Sequence, residues 1–541
     1  MRRRFLNNIN KSISGDNHSS YFTIEALEDG LTAQLSINTC EYRIDAGGWN
    51  RLSAGSNTPS INTGQTLSFR GNLTPTSSNG IGTFTISKKC NLKGNIMSLL
   101  YGKYFIDKTD LTGKSYALYK LFYNCNTIVD VSELILPATT LSSGCYESMF
   151  SGCKSLTTVH SLPATTLASD CYYYMFKGCT SLTTTPELPA TTLADYCYYG
   201  MFYGCTSLTT TPELPATTLA GSCYYYMFKG CTSLTTAPEL PATTLASSCY
   251  SYMFSGCTGL TSAPELPATT LSNYCYKYMF QSCTSLTTAP ELYATTLANQ
   301  CYNSMFQGCT SLTSAPELPA TTLKFAGYCY DSMFLGCTSL TTAPELPATT
   351  LASGCYAGMF YGCTGLTSAP ELPVTTLAGY CYQSMFENCT SLTDVVLHEG
   401  LREIRASAFK NNVNLVNIDL PNSLEYLGAS AFSHCSSLTE ITIPASVETV
   451  GKTAFYNSSK LSINHCLIFK ASPTPSHLIA GARVMISETT LAFTPPEAVI
   501  VDAPLLIDAT NAPSDVARGT KKSSLACSPL TFNGPATPIG I

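Results

Sequence analysis

Charge is scarce in this chain. Asp, Glu, Lys and Arg together make up 12% of its 541 residues, about half the usual share of roughly 25%. The net charge is −6 and the isoelectric point lies near 5.6. The basic surface that a phosphate backbone demands is missing, which argues against nucleic-acid binding. No apolar run approaches the roughly 18 residues that a membrane-spanning helix needs, so no membrane insertion is expected. The start Met1-Arg2-Arg3-Arg4 resembles the basic head of an export signal, but Asn7, Asn8, Asn10 and Lys11 interrupt any apolar segment behind it. Histidine is rare as well: His18, His160, His398, His434, His465 and His477 complete the set. None sits at a spacing that suits a nucleophile or a metal. Cys-x-x-Cys and glycine-rich phosphate loops do not occur. The expectation is therefore a non-enzyme with no catalytic, cofactor-binding or metal-binding residues. With so few ions, Thr, Ser, Asn and Tyr must supply the polar surface, a composition compatible with an extracellular or virion setting.

What is present is repetition. Leu188-Pro-Ala-Thr-Thr-Leu193 recurs as Leu214 to Leu219 and Leu240 to Leu245, each followed by Cys-Tyr-x-x-Met-Phe-x-Gly-Cys-Thr. The second cysteine falls at 153, 179, 205, 231, 257, 283, 309, 337, 363 and 389. The step is 26, except for one of 28 where Lys324-Phe325 is inserted. Cys125 marks a degenerate earlier unit. Beyond Cys389 the step shortens, with Ala408-Phe409, Ala431-Phe432 and Ala454-Phe455 lying 23 apart.

The segment Leu438-Thr-Glu-Ile-Thr-Ile-Pro-Ala-Ser-Val447, then Val450-Gly451 and Ala454-Phe455, resembles BspA-type leucine-rich repeats. The likeness covers roughly residues 115 to 470. The 23-residue units follow that pattern closely. The 26-residue units look like a Cys/Tyr-rich variant with Met-Phe in place of Ala-Phe, and depart from it by a proline inside the presumed strand. The resemblance implies a surface protein that attaches to host proteins or other cells.

In a single unit, Leu193, Cys197 and Met201 are four apart, as are Tyr198 and Phe202. This spacing predicts a short helix, with Gly204 as its stop. Thr209 to Leu214 reads as the strand, shortened by Pro212. Stacked units would bury the apolar face that one unit cannot bury alone. The expected fold is thus an α/β repeat solenoid of leucine-rich-repeat type. A parallel β-sheet lines one side, short helices the other, and a small all-β domain precedes them. The expected order is a tail at 1–19, a β-sandwich-like domain at 20–92, a linker and degenerate repeat at 93–124, 26-residue repeats at 125–395, 23-residue repeats at 396–470, and a Pro/Ala-rich end at 471–541. Within that end, Pro495 to Asp502 reads as holding a strand or two.

Three residue columns stand out. The paired cysteines, eight apart within a unit, span about 12 Å if helical, too far for a disulfide. Neighbouring helices at about 8–10 Å would also keep them apart. They read as small buried apolar groups, with disulfides as the alternative if the face is not helical. Glu187, Glu213, Glu239, Glu265, Glu291, Glu317, Glu345 and Glu371 share one position beside the strand. They form either a groove for a cationic or polyhydroxylated ligand or Ca²⁺, or a solvated stripe accepting bonds from threonines. Tyr173, Tyr174, Tyr199, Tyr225, Tyr226 and Tyr252 lie where otherwise similar units differ, so they face solvent. They are either contact area for sugars or proteins or neutral surface variation. The functional expectation is an adhesion scaffold for an extracellular protein or carbohydrate. The alternative is a bacteriophage tail protein that recognises a host surface.

Overall fold

The computed structural model describes residues 20–76, 79–372, 378–464, 468–470, 483–485 and 498–500. The expected tail at 1–19 and most of the Pro/Ala-rich end lie outside the described residues. The chain divides into two compact units, Met1–Ala268 and Thr269–Ile541.

The first unit opens with β1 (Phe22–Ala26), β2 (Ala33–Leu35), β3 (Cys40–Ile44), β4 (Asn50–Leu52), β5 (Thr66–Arg70), β6 (Phe84–Ile86) and β7 (Cys90–Asn95). In β1 the side chains alternate between buried and half-buried, as a strand with one covered face requires. A four-residue helix α1 (Ser98–Tyr101) and a 3-10 turn (Gly102–Tyr104) follow, then β8 (Ile128–Ile135). The main sheet has the order β4-β3-β5-β1-β7-β8, and β2 pairs with β6 apart from it. Phe22, Phe69 and Phe84 fill the core at ring separations of 5.2–5.8 Å. Phe122, from the degenerate repeat, joins them at 5.7 Å and stacks on Phe150 of the next coil at 5.3 Å. β8 pairs parallel with β7. The β domain therefore shares both its sheet and its aromatic core with the first coils.

The expected helices do not form. In the coil holding Cys171 to Cys179, hydrogen bonding alternates. The amides of Cys171, Tyr173, Met175, Lys177 and Cys179 each reach a carbonyl three residues back. Those of Tyr172, Tyr174, Phe176 and Gly178 donate to Cys197, Tyr199, Met201 and Tyr203 of the next coil. Every fourth residue has positive φ: Asp170 at 56°, Tyr174 at 51°, Gly178 at 71°. The result is a ribbon of consecutive turns. Leu193, Cys197, Met201, Tyr198 and Phe202 keep their four-residue spacing without a helix, and Gly204 is a left-handed turn residue at φ 72°. Coil spacing is the reason. The Phe176–Phe202 and Phe202–Phe228 rings sit 5.8 and 5.6 Å apart and nearly parallel, whereas packed helices need about 8–10 Å. A turn ribbon fits because half of its amides bond across that short gap.

Inside the ribbon, Cys171, Tyr172, Met175, Phe176, Cys179 and Leu182 are buried, and the same positions repeat coil after coil. All 24 described cysteines are free and buried. The expectation of 8–10 Å between neighbouring cysteine-bearing elements fails with the helices. The thiols are instead packed as small apolar groups, and the second of each pair donates to a backbone carbonyl, as Cys205 does to Phe176 at 3.1 Å.

The expected strand Thr209 to Leu214 is not a strand. Pro212 and Pro215 carry no amide hydrogen, and at this position of the repeat pairing shrinks to single bridges such as Thr288–Ser314 and Ser314–Thr342. In the second unit the same ribbon continues, with Tyr302 and Phe306 donating to Cys329 and Met333. Short parallel strands β9 (Thr322–Leu323) and β10 (Thr350–Leu351) pair beside the inserted Lys324-Phe325. The 23-residue units carry at most one proline there, Pro421 or Pro444, in place of two. Their segments β11 (Glu403–Ile404), β12 (Tyr426–Leu427) and β14 (Thr449–Val450) form one parallel sheet. Another holds β13 (Glu440–Thr442), β15 (Ser462–Asn464) and β17 (Arg483–Met485). Of the strand or two expected at Pro495 to Asp502, β18 (Ala498–Ile500) pairs with β16 (Ile468–Lys470).

Candidate binding surface

Each of the eight glutamates directly follows the first proline of its own coil, outside the turn ribbon, and all are exposed. Two have partners: Tyr293 Oη donates to Glu291 at 2.5 Å, and His398 lies 3.3 Å from Glu371. No ion pair holds the other six among the described residues. No threonine hydrogen bond reaches them among the described residues. Thr209 and Thr261 direct their hydroxyls to the carbonyls of Thr183 and Thr235 one coil back. The threonine hydroxyls therefore tie coil to coil. Among the described residues no group of three His, Cys, Asp or Glu is placed to hold a metal ion.

The tyrosines behave differently. Tyr173, Tyr174, Tyr199, Tyr225, Tyr226 and Tyr252 gather into one aromatic face in the first unit. Tyr173, Tyr199 and Tyr225 stack at 4.6 and 4.9 Å with planes within 11°. Tyr174 and Tyr226 stand edge-on to Tyr199, at 5.4 and 5.6 Å. Tyr252 closes the far side, 5.0 Å from Tyr226. The ribbon explains the gathering, since coils about 5 Å apart place equivalent rings at stacking distance.

The ribbon also imposes a conformational cost. Tyr174, Tyr226 and Tyr252 have φ of 51°, 60° and 56°, where an L side chain costs about 1–2 kcal/mol. The coil between Tyr174 and Tyr226 has Gly200 at the same position, φ 54°. A Cβ on Gly200 would collide with the Tyr174 ring, so this glycine clears the space that the ring occupies.

Four further side chains belong to the face and escaped the sequence reading: Tyr196, Tyr203, Lys177 and Lys229. Lys177 lies 4.1 Å from the Tyr174 ring centre, and Lys229 lies 4.6 and 5.0 Å from those of Tyr226 and Tyr252. The available signal was the four-residue period, since Lys177, Tyr203 and Lys229 each follow a predicted tyrosine by four. Burial pushes the Tyr173 phenol up to about 12, with Tyr174 and Glu147 adding to the effect. Burial also lowers the Lys229 ammonium. At the edge of the face, burial raises Glu147 to about 7; Asp170 adds to the rise and Lys120 opposes it. Half-buried rings with apolar faces, phenolic edges and two cations can grip a flat or ringed ligand through stacking and hydrogen bonds.

The sequence matches the model of the BspA type leucine rich repeat region over residues 118–261, 200–341 and 353–469, with 6 copies. Two solved structures are similar. One is a leucine-rich repeat protein from Bacteroides ovatus ATCC 8483, with 23% identity over 64% of this chain and 81% of that one, TM-score 0.47. The other is a leucine rich cell surface protein from Faecalibacterium prausnitzii A2-165, with 19% identity over 62% of this chain and 84% of that one, TM-score 0.37. No curated protein matches. No helix among the described residues is long and apolar enough to cross a membrane.

Proposed function

The chain belongs to the BspA-type leucine-rich repeat family, and from that premise we propose that it is a non-enzymatic adhesion scaffold working outside the cell. Its ligand is an extracellular protein or carbohydrate. Its working face is the tyrosine cluster from Tyr173 to Tyr252. The observation that carries this reading is the backbone at Tyr174, Tyr226 and Tyr252, with φ of 51–60°. Strain of this kind is retained where surrounding structure or function demands it. Glycine is sterically free at this position, as Gly200 illustrates. Three bulky rings there, joined to a stacked column, favour selection for contact area over drift. Nothing among the comparisons favours the phage tail alternative.

The test is a binding screen of the full chain against glycans and host-surface proteins, repeated with two variants. One changes Tyr174 and Tyr225 to Ser. The other changes Glu239, Glu265 and Glu291 to Gln, which keeps shape and hydrogen-bond acceptors. Loss of the captured ligand in the first variant and retention in the second is the expected result. Retention in the first, with loss and a flatter salt dependence in the second, transfers the binding role to the glutamates.

A further inference from the structure

The N-terminal sheet holds a concave feature that the repeat face does not use. A cleft of about 540 Å³ opens between β3, β4 and the end of β5 on one side and the 3-10 turn on the other. Antiparallel register places Arg51 and Arg70 on either side of Glu41, so the three side chains project from one face of the sheet. Arg70 Nε donates to Glu41 at 2.7 Å. Arg51 and Lys103 have no carboxylate partner among the described residues. The cleft therefore holds three cations against one anion, in a chain whose net charge is −6.

The site is built in advance. The Arg70 guanidinium lies 4.2 Å from the Trp49 ring centre, while Glu41 fixes its other side. Trp49 is held in turn by Tyr21 at 4.9 Å and Arg43 at 5.0 Å. An arginine already clamped between a carboxylate and an indole loses little further freedom on binding. At the mouth, Tyr104 is 70% exposed, with the Lys103 ammonium 5.0 Å from its ring. Asn72 completes the polar wall.

We propose that this cleft binds an acidic saccharide, a sugar ring carrying a carboxylate or a sulfate. Arg51 and Lys103 offer charge-assisted donors to the anion. The open face of Tyr104 suits the C–H face of a sugar ring. Glu41 and Asn72 pair with hydroxyls. A bare inorganic anion leaves the Tyr104 platform unused. A nucleic acid needs a run of cations beyond the cleft, which the acidic chain does not provide.

Trp49 is the chain's single tryptophan, so its emission reports on this region. The experiment titrates the full chain with an oligogalacturonate, a heparin-derived oligosaccharide, a neutral oligosaccharide of equal length, inorganic phosphate and a single-stranded oligonucleotide. At least one acidic sugar should shift Trp49 emission, with affinity falling as salt rises; which one does so assigns the carboxylate or the sulfate. Arg51→Gln and Lys103→Gln should each weaken it on the order of tenfold, and Tyr104→Ala should weaken the sugar but not phosphate. A Tyr225→Ser chain should titrate unchanged, which separates this site from the repeat face. The proposal is overturned by any of three results: no response to either acidic sugar at about 10 mM, equal binding of the neutral sugar, or full affinity in both charge variants. Tighter binding of the oligonucleotide than of any saccharide overturns it too.

Discussion

Tyr226 and Phe228 are two residues apart on one turn ribbon, and the structure assigns them opposite tasks. Phe228 is fully buried, stacked between Phe202 at 5.6 Å and Phe254 at 5.7 Å. Phe228→Ala should destabilise its coils by about 3–5 kcal/mol, from lost transfer energy and the cavity left behind. Tyr226 is half-buried. Its ring touches Tyr225 at 4.3 Å, Tyr252 at 5.0 Å and Lys229 at 4.6 Å. Deleting it removes contacts worth about 1–3 kcal/mol in all. Tyr226→Gly also relieves the cost of φ 60°, about 1–2 kcal/mol, while glycine's extra freedom costs about 0.5–1 kcal/mol. The net loss should be about −0.5 to 3 kcal/mol, centred near 1, and so below that of Phe228→Ala. Urea unfolding followed by circular dichroism measures both, and hydrogen exchange across residues 200–256 localises the effect. If Tyr226→Gly costs as much as Phe228→Ala, the tyrosine is core packing and its strained backbone says nothing about binding.

Three further outcomes follow from burial. A denatured, non-reduced sample should titrate nearly all 26 cysteines as free thiols. The native protein should react slowly, because burial pushes thiols such as Cys205 up to about 12, cutting the thiolate fraction at pH 8 about a thousandfold; fast native labelling would contradict the packing. The Tyr172 hydroxyl is buried without a hydrogen-bond partner among the described residues, so Tyr172→Phe should be neutral or stabilising by urea denaturation, and a large loss would reveal a hidden partner. Glu147 is raised from 4.5 to about 7, so between those values the folded chain holds a proton that the unfolded chain has lost. Its contribution to stability is present at low pH and fades as pH rises through about 7. Glu147→Gln should flatten the fall in melting temperature over that range, and an unaltered pH profile would count against the assignment.

Leu193, Cys197 and Met201 show how far the sequence could be read. Their spacing of four marks one face, on which Cys197 and Met201 are buried and Leu193 half-buried. It does not distinguish a helix from a ribbon of turns, because both return a side chain to the same side every fourth residue. The distinction lies in the gap between coils, and that gap follows from stacked rings about 5.7 Å apart, which one unit does not reveal. Positive φ usually announces itself through Gly or Asn. Here Tyr and Ser fill many such positions, and the usual signal is muted. Pro212 was legible as a weakness of the strand: a 23-residue unit that keeps Pro444 but has Thr442, fourth after Leu438 as Pro212 is after Leu208, forms β13 there. In the β domain, Tyr21 to Leu27 and Gly82 to Ile86 were readable as strands from their alternation. Residues Ile128 to Ile135 were not, because they sit in a degenerate repeat and pair with β7 on one side while bridging Thr158 of the next coil on the other. Variation between units located six of the tyrosines on the clustered aromatic face. The lysines beside them are isolated charges in sequence and become part of the face only once coils are stacked.

The alternating ribbon gives the coils of each unit a direction. In each coil the outward amides donate forward and the carbonyls accept from behind. At the beginning, the Leu121 carbonyl accepts from Phe84 at 2.7 Å, so the β domain plays the part of a preceding coil and closes that end. At the other end, Ser430, Phe432 and His434 donate to Lys452, Ala454 and Tyr456. The forward amides of Thr453, Phe455 and Asn457 then find no acceptor among the described residues. Extension in front of Phe122 must therefore first displace a folded sheet.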